Sequence, residues 1–134
     1  MTLWSDAQLA SIHKMLNPRS LAIVGATPRL QYGGRMLAAA LNASDRVNIY
    51  PVNPRYDEIM DTKCYASVSD LPEAPDATFL YVSRENVIDV IGELAAMGAG
   101  GAVCHAAGFG EMGDAGHEFH DALVKAAGDL ALVG

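Results

Sequence analysis

Leu21-Ala22-Ile23-Val24 is apolar at every position and is stopped by Gly25. A strand with one face in water alternates apolar and polar residues. A strand that never alternates is covered on both faces, as in a parallel sheet held between layers of helix. Further candidate strands are Val47-Asn48-Ile49-Tyr50, closed by Pro51-Val52-Asn53-Pro54, then Thr78–Val82, Ala102–His105 and Leu130–Val133. Helical patterns separate them. Ser5-x-x-Gln8 has the form of a capping box, after which Leu9, Ile12 and Leu16 recur at helical spacing and Pro18 ends the segment. Arg35–Asn42 would turn Met36, Leu37, Ala40 and Leu41 inward. A helix from Glu85 to Met97 carries an apolar stripe of Val87, Ile88, Ile91, Leu94 and Ala95, with Gly98 as its left-handed stop. A last helix runs from Gly116 to Ala127. Strand and helix alternate throughout, and 134 residues fit one domain. The expected fold is α/β, a Rossmann-like doubly wound parallel sheet of about five strands with helices on both faces. Residues 1–17 form an N-terminal helix and 18–134 the sheet domain.

No apolar run approaches the roughly 18 residues of a membrane span. The N-terminus carries neither a basic nor an apolar stretch, so a cytoplasmic location is expected. Cys64 and Cys104 have no close partners in sequence and read as reduced thiols. The net charge of −7 argues against nucleic acid as a partner. That charge is divided unevenly. Residues 1–67 hold seven Lys/Arg and five acids, whereas residues 68–134 hold two and eleven. A polyanionic ligand would place its phosphates on the first half.

In such sheets ligands bind beyond the carboxyl ends of the strands. The loop after the first strand, Gly25-Ala26-Thr27-Pro28-Arg29-Leu30-Gln31-Tyr32-Gly33-Gly34-Arg35, leads into a helix. Its glycines would let a phosphate reach backbone amides at the helix N-terminus, and Thr27, Arg29 and Arg35 add donors. It matches neither G-x-G-x-x-G nor the P-loop pattern. After the second strand an NAD site needs an acid for the ribose hydroxyls. Here stand Asn53, Pro54 and Arg55 instead, which favours a ribose bearing an extra phosphate, as in coenzyme A or NADP.

Leu16–Thr27, Gly33–Leu37 and Ile49–Ile59, followed by Cys64–Val68, Asp70–Pro72 and Ala106–Glu111, together resemble the CoA-binding, N-terminal domain of ADP-forming acyl-CoA synthetases, with the succinyl-CoA synthetase α-subunit more distant. The resemblance covers the chain from Leu16 onward. It implies that Gly25, Ala26, Thr27, Gly33, Gly34 and Arg35 line the CoA nucleotide and its phosphates. It places Asn53, Pro54 and Arg55 at the ADP moiety, Val82 and Ser83 near the adenine, and His105, Ala106 and Ala107 on the loop toward the pantetheine arm. Relatives usually have Val-Pro at Val82-Ser83, which makes that turn more rigid, and a serine hydroxyl at Ala106.

The resemblance also implies a reaction. Acid and ATP form an acyl phosphate, a histidine carries the phosphoryl group, and CoA takes the acyl group. The phosphohistidine and the ATP-grasp domain, which holds ATP/ADP and Mg, lie in further domains or on a second chain. Relatives continue past the fifth strand, so the segment is expected to be a piece of a longer ligase that binds without catalysing. No catalytic residue and no metal site is expected here. His117 and His120, beside Glu118 and Asp121, read as an exposed helix face, Cys104 as a small buried hydrophobe, and His105 as a packing or CoA contact. Two alternatives stay open: a stand-alone CoA- or nucleotide-binding regulatory protein, and an NADP-binding oxidoreductase domain.

Overall fold

The computed structural model describes residues 5–43, 46–104 and 114–133, with the backbone alone for 114–117. The order is α1 (Asp6–Leu16), β1 (Ser20–Val24), α2 (Gly33–Ala43), β2 (Asn48–Val52), the short hairpin β3 (Glu58–Ile59) and β4 (Thr62–Lys63), a 3-10 turn (Val68–Asp70), β5 (Ala77–Leu80), α3 (Arg84–Ala96), β6 (Ala102–Cys104), α4 (Asp114–Ala127) and β7 (Leu132–Val133). Five strands form one sheet in the order β2-β1-β5-β6-β7, every neighbouring pair parallel. The chain winds outward from β1 to β2, then returns past β1 and winds the other way. The reversal therefore lies between β1 and β5, which makes that gap the expected ligand crevice.

β1 is an interior strand, paired on both sides by β2 and β5, as its unbroken apolar run requires. Ala22 and Val24 face α3, α4 and the 3-10 turn, packing with Leu80, Val87, Ile91 and Leu94. Ile23 faces the other way onto Leu37 of α2 and onto Ile59 and Cys64 of the hairpin region. Helices thus cover both faces, as expected for the doubly wound class. The inward stripes of α2 and α3 are the ones their spacing predicts, and Gly98 takes φ +73° after α3. Cys104 is buried in the core, and neither cysteine forms a disulfide. Glu118, His120 and Asp121 lie exposed on α4.

Three local features differ from the sequence expectation. The apolar residues that recur along α1 do not form its contact face: Leu9 and Leu16 are 50% and 72% exposed. The capping box at Ser5 and Gln8 does form. α1 crosses the amino ends of the strands and is bonded to their backbone there through Ser11. The Ser11 hydroxyl accepts a bond from the Ala131 amide at 2.8 Å, and the Ser11 carbonyl one from Gly101 at 3.2 Å. A small polar residue suits that contact. β2 runs on through Pro51 to Val52 because it is an edge strand. The Pro51 carbonyl accepts from the Tyr65 amide on the outer side, where a missing N–H costs no ladder bond. The β3–β4 hairpin turns on Met60 and Asp61, both left-handed at φ +52° and +60°. That is the backbone of a tight two-residue turn without the glycine that announces one.

Thr78 is 1% exposed, and its hydroxyl has no hydrogen-bond partner among the described residues. An orphaned buried hydroxyl costs about 1–3 kcal/mol. Thr78→Val, which keeps the shape and the branched Cβ, is expected to raise the urea midpoint, with a gain of up to about 1 kcal/mol after imperfect repacking.

Candidate functional site

Gly25 ends β1 at φ +90°. Its amide donates to the Val52 carbonyl at 2.9 Å, and the Tyr81 amide donates to the Val24 carbonyl at 2.8 Å, so the ends of β2, β1 and β5 are pinned side by side. A Cβ at Gly25 would lie 2.1 Å from the Tyr81 carbonyl oxygen. The loop then folds back on α2. The Thr27 hydroxyl and the Gln31 amide both donate to the Arg29 carbonyl, and the Gly34 amide donates to Gln31. Added Cβ atoms would meet the Gly25 carbonyl oxygen from Gly33 at 2.4 Å and that of Arg29 from Gly34 at 1.7 Å. These two glycines therefore serve first to pack the loop on its own backbone, a role the glycine spacing alone does not reveal.

Asn53 braces this arrangement from β2. Its side-chain amide donates to the Ala26 carbonyl at 2.9 Å, and its side-chain oxygen accepts from the Arg55 amide at 3.0 Å. The first bond ties the second loop to the first, and the second closes an Asx turn that sets the direction of Arg55. Cys64 lies beneath, its thiol 3.5 Å from the Asn53 carbonyl oxygen, and burial pushes the thiol pKa up.

Three crevices open at this edge. The first, about 540 Å³, has a floor of Val24, Val52 and Val68 with Val82 and Val90 beside it. Asn53, Pro54, Arg55 and Ser83 stand on its rim. The second, about 360 Å³, lies over Gly25, Thr27, Arg29 and Gly33. The third, about 620 Å³, follows α2 past Arg35, Met36 and Ala39. Gly25 and Tyr81 border both the first and the second; Gln31, Tyr32 and Tyr81 border both the second and the third. The three form one path across the switch in strand order.

Most expected site residues meet along that path. Ala26 and Gly34 do not line it: Ala26 is fully buried and Gly34 sits under the loop. His105, Ala106 and Ala107, like Glu111, lie outside the described residues. Sequence reasoning missed Val68, Asn86, Val90, Tyr32 and Tyr81. Val68 arrives on the crossover and Asn86 and Val90 on α3, so none stands beside a glycine or an X-Pro signal. Arg29, Arg35 and Arg55 are exposed, and none makes an ion pair among the described residues. Asp89 and Glu93 stand on the opposite, α3 wall of the first crevice. The cations gather where the first half of the chain was expected to hold phosphate. Burial raises the Tyr81 pKa, so its phenol is neutral at ordinary pH. The Glu85 carboxyl in the first turn of α3 is held below its usual range, first by its own backbone amide and then by the Ser83 hydroxyl.

Comparison with known proteins agrees with this geometry. Residues 19–133 match the family model described as a CoA binding domain. A trans-feruloyl-CoA synthase from an unknown prokaryote is 36% identical over 123 residues, which cover 91% of this chain and 17% of that protein. The ADP-forming acetate–CoA ligase II of Archaeoglobus fulgidus is 32% identical, with 91% and 18% covered. The chain thus spans less than a fifth of the length of these two relatives. Among solved structures, the apo dinucleotide-forming acetyl-coenzyme A synthetase 1 of Ca. Korarchaeum cryptofilum superposes with a TM-score of 0.80 at 32% identity, covering 87% of this chain and 26% of that one. The glycine-led loop, the basic turn after β2 and the match over nearly the whole sheet make this chain a member of the CoA-binding domain family, homologous to the CoA-binding part of ADP-forming acyl-CoA ligases.

Proposed function

We propose that the chain holds coenzyme A as one module of an ADP-forming acid–CoA ligase, by the residues that line the path across β2, β1 and β5. The observation that carries this is the turn after β2. Where a dinucleotide dehydrogenase puts a carboxylate for the ribose hydroxyls, Asn53 is locked by two hydrogen bonds and aims Arg55 at the mouth of a valine-floored crevice. Valines suit the faces of an adenine ring, and a guanidinium suits a phosphate on the ribose. Thr27, Arg29 and the start of α2 offer donors for the pyrophosphate next to it. The residues present fit such a ligand.

The remaining steps belong to the rest of the enzyme. Its other domains, or a second chain, would supply the phosphohistidine and the site for ATP/ADP and Mg, and this segment would bring CoA to them. The domain proper would begin near residue 18, with α1 as a brace across the bottom of the sheet. No described helix is long and apolar enough to cross a membrane, and we place the protein in the cytoplasm, where CoA and ATP are at hand.

Titration calorimetry with CoA, dephospho-CoA, NADP and NAD tests this directly. CoA should bind saturably and more tightly than the other three. Arg55→Ala should weaken CoA by about 1–3 kcal/mol while changing dephospho-CoA little, since only CoA carries the 3′-phosphate. Saturable NADP binding without CoA binding would refute the proposal, and equal losses for CoA and dephospho-CoA would remove Arg55 from the phosphate.

A further inference from the structure

The two outer strands of the sheet, β2 and β7, are finished differently. On β2 the outward position is Pro51, which has no N–H to leave open. Tyr65 covers the rest: its amide donates to the Pro51 carbonyl, and its carbonyl accepts from the Asn53 amide. On β7 the Ala102 amide donates to the Ala131 carbonyl at 2.8 Å, and the register sets Ala102 opposite Leu132. Carbonyls alternate sides along a strand, so the N–H and C=O of Leu132 point away from β6. Neither has a hydrogen-bond partner among the described residues. Such an edge is a template for a further strand, and Leu130–Val133 carries no charged side chain to guard it.

The flanks of this edge are apolar on both sides. Toward α4, Val124 is 53% exposed and borders a groove of about 210 Å³ together with Gln8, Leu130 and Leu132. On the opposite face Ile23, Phe79, Val103 and Val133 stand in one row across four strands. Ile23 lies under α2 at 0% exposure, Phe79 and Val103 are half-buried, and Val133 is 50% exposed. The apolar cluster beneath α2 includes no residue of β6 or β7. Parallel sheets are covered on both faces, and here the cover thins toward β7. Resting on the ligase reading above, we infer that the β7 edge is where the rest of the ligase docks, adding an extended apolar segment alongside Leu132 and Val133. More than four-fifths of each of the two relatives described above lies outside the matched segment, so such enzymes have ample chain for this. The Leu132 N–H and C=O bond the backbone of the added segment. Its side chains enter the groove at Val124 and lie over Val133 in turn, so it is apolar at successive positions, as β1 is. The joint between the modules is then a shared sheet.

Hydrogen exchange with residue-level fragmentation, run on the 134-residue chain and on the full-length ligase, reads this edge directly. The Leu132 amide should exchange about a hundredfold more slowly in the ligase, whereas the Val133 amide, turned toward β6, is protected in both. Val133→Lys should leave the melting temperature of the 134-residue chain within about 4 °C, since the site is half exposed, and should cut the protection of Leu132 in the ligase about tenfold. Equal exchange of Leu132 in the two proteins would overturn the inference. So would a concentration-dependent dimer of the 134-residue chain that protects Leu132, because the occupant would then be a second copy. Val124, Leu132 and Val133 line none of the three crevices at the other end of the strands, so CoA titration of the full-length protein is a separate reading. A protected Leu132 without CoA binding sinks the ligase reading and leaves the shared edge standing; CoA binding with an unprotected Leu132 does the reverse.

Discussion

Gly25→Ala is expected to cost the domain about 2–4 kcal/mol and to abolish CoA binding at concentrations that saturate the unmodified protein. Two separate penalties meet at this position. The backbone is at φ +90°, where a side chain is strained whatever surrounds it. The added methyl would also lie 2.1 Å from the Tyr81 carbonyl oxygen, just past the end of β5, with which β1 pairs. Relief requires β1 and β5 to part at the strand-order switch, which is where the two crevices bordered by Gly25 and Tyr81 join. Urea denaturation followed by circular dichroism reads the first effect and calorimetry the second. Gly98→Ala is the control. It is also left-handed, at φ +73°, but a Cβ there meets nothing within 4 Å. It should cost about 1 kcal/mol and leave CoA affinity unchanged. Similar losses at both glycines would mean that strain alone matters at Gly25 and that the approach of β5 does not.

The contrast between these glycines also marks what a sequence can disclose. Gly98 is legible because it follows an apolar stripe of known period. The importance of Gly25 is legible in part, since it ends an unbroken apolar run, but its closeness to Tyr81 depends on β5, more than fifty residues later. The same division holds across the fold. The parallel sheet could be read from β1 because burial on both faces suppresses alternation. The β3–β4 hairpin could not, since its turn is made by Met60 and Asp61, which announce nothing. The contact face of α1 was hidden because it is bonded to backbone through Ser11 and owes little to Leu9 or Leu16. At the site, the loop residues were legible because glycine and X-Pro punctuate them. Val68, Val90 and Tyr81 were not, because an apolar residue that floors a crevice looks in sequence like one that fills a core.

Leu37→Ala should cost about 3–5 kcal/mol, the range for a fully buried leucine whose site cannot collapse. Leu37 is 0% exposed and is the most deeply buried side chain by which α2 packs with Ile23, with Ile59 of the hairpin and with Cys64 just after it. Domains of this size are stable by only about 5–15 kcal/mol, so the variant will sit close to its unfolding threshold. Yet Leu37 lines none of the three crevices. Its side chain is on the sheet side of α2, whereas the exposed Arg35 and Ala39 line the third crevice. Folded molecules of the variant should therefore keep most of their CoA affinity. CoA at about a hundred times its dissociation constant should then return about 2.7 kcal/mol of stability to variant and unmodified protein alike, because it binds only the folded state. Thermal melts of both proteins, with and without CoA, measure the two shifts side by side. A variant that gains nothing from CoA would show that the inner face of α2 sets the geometry of its outer one, and that packing and binding are not separable across this helix.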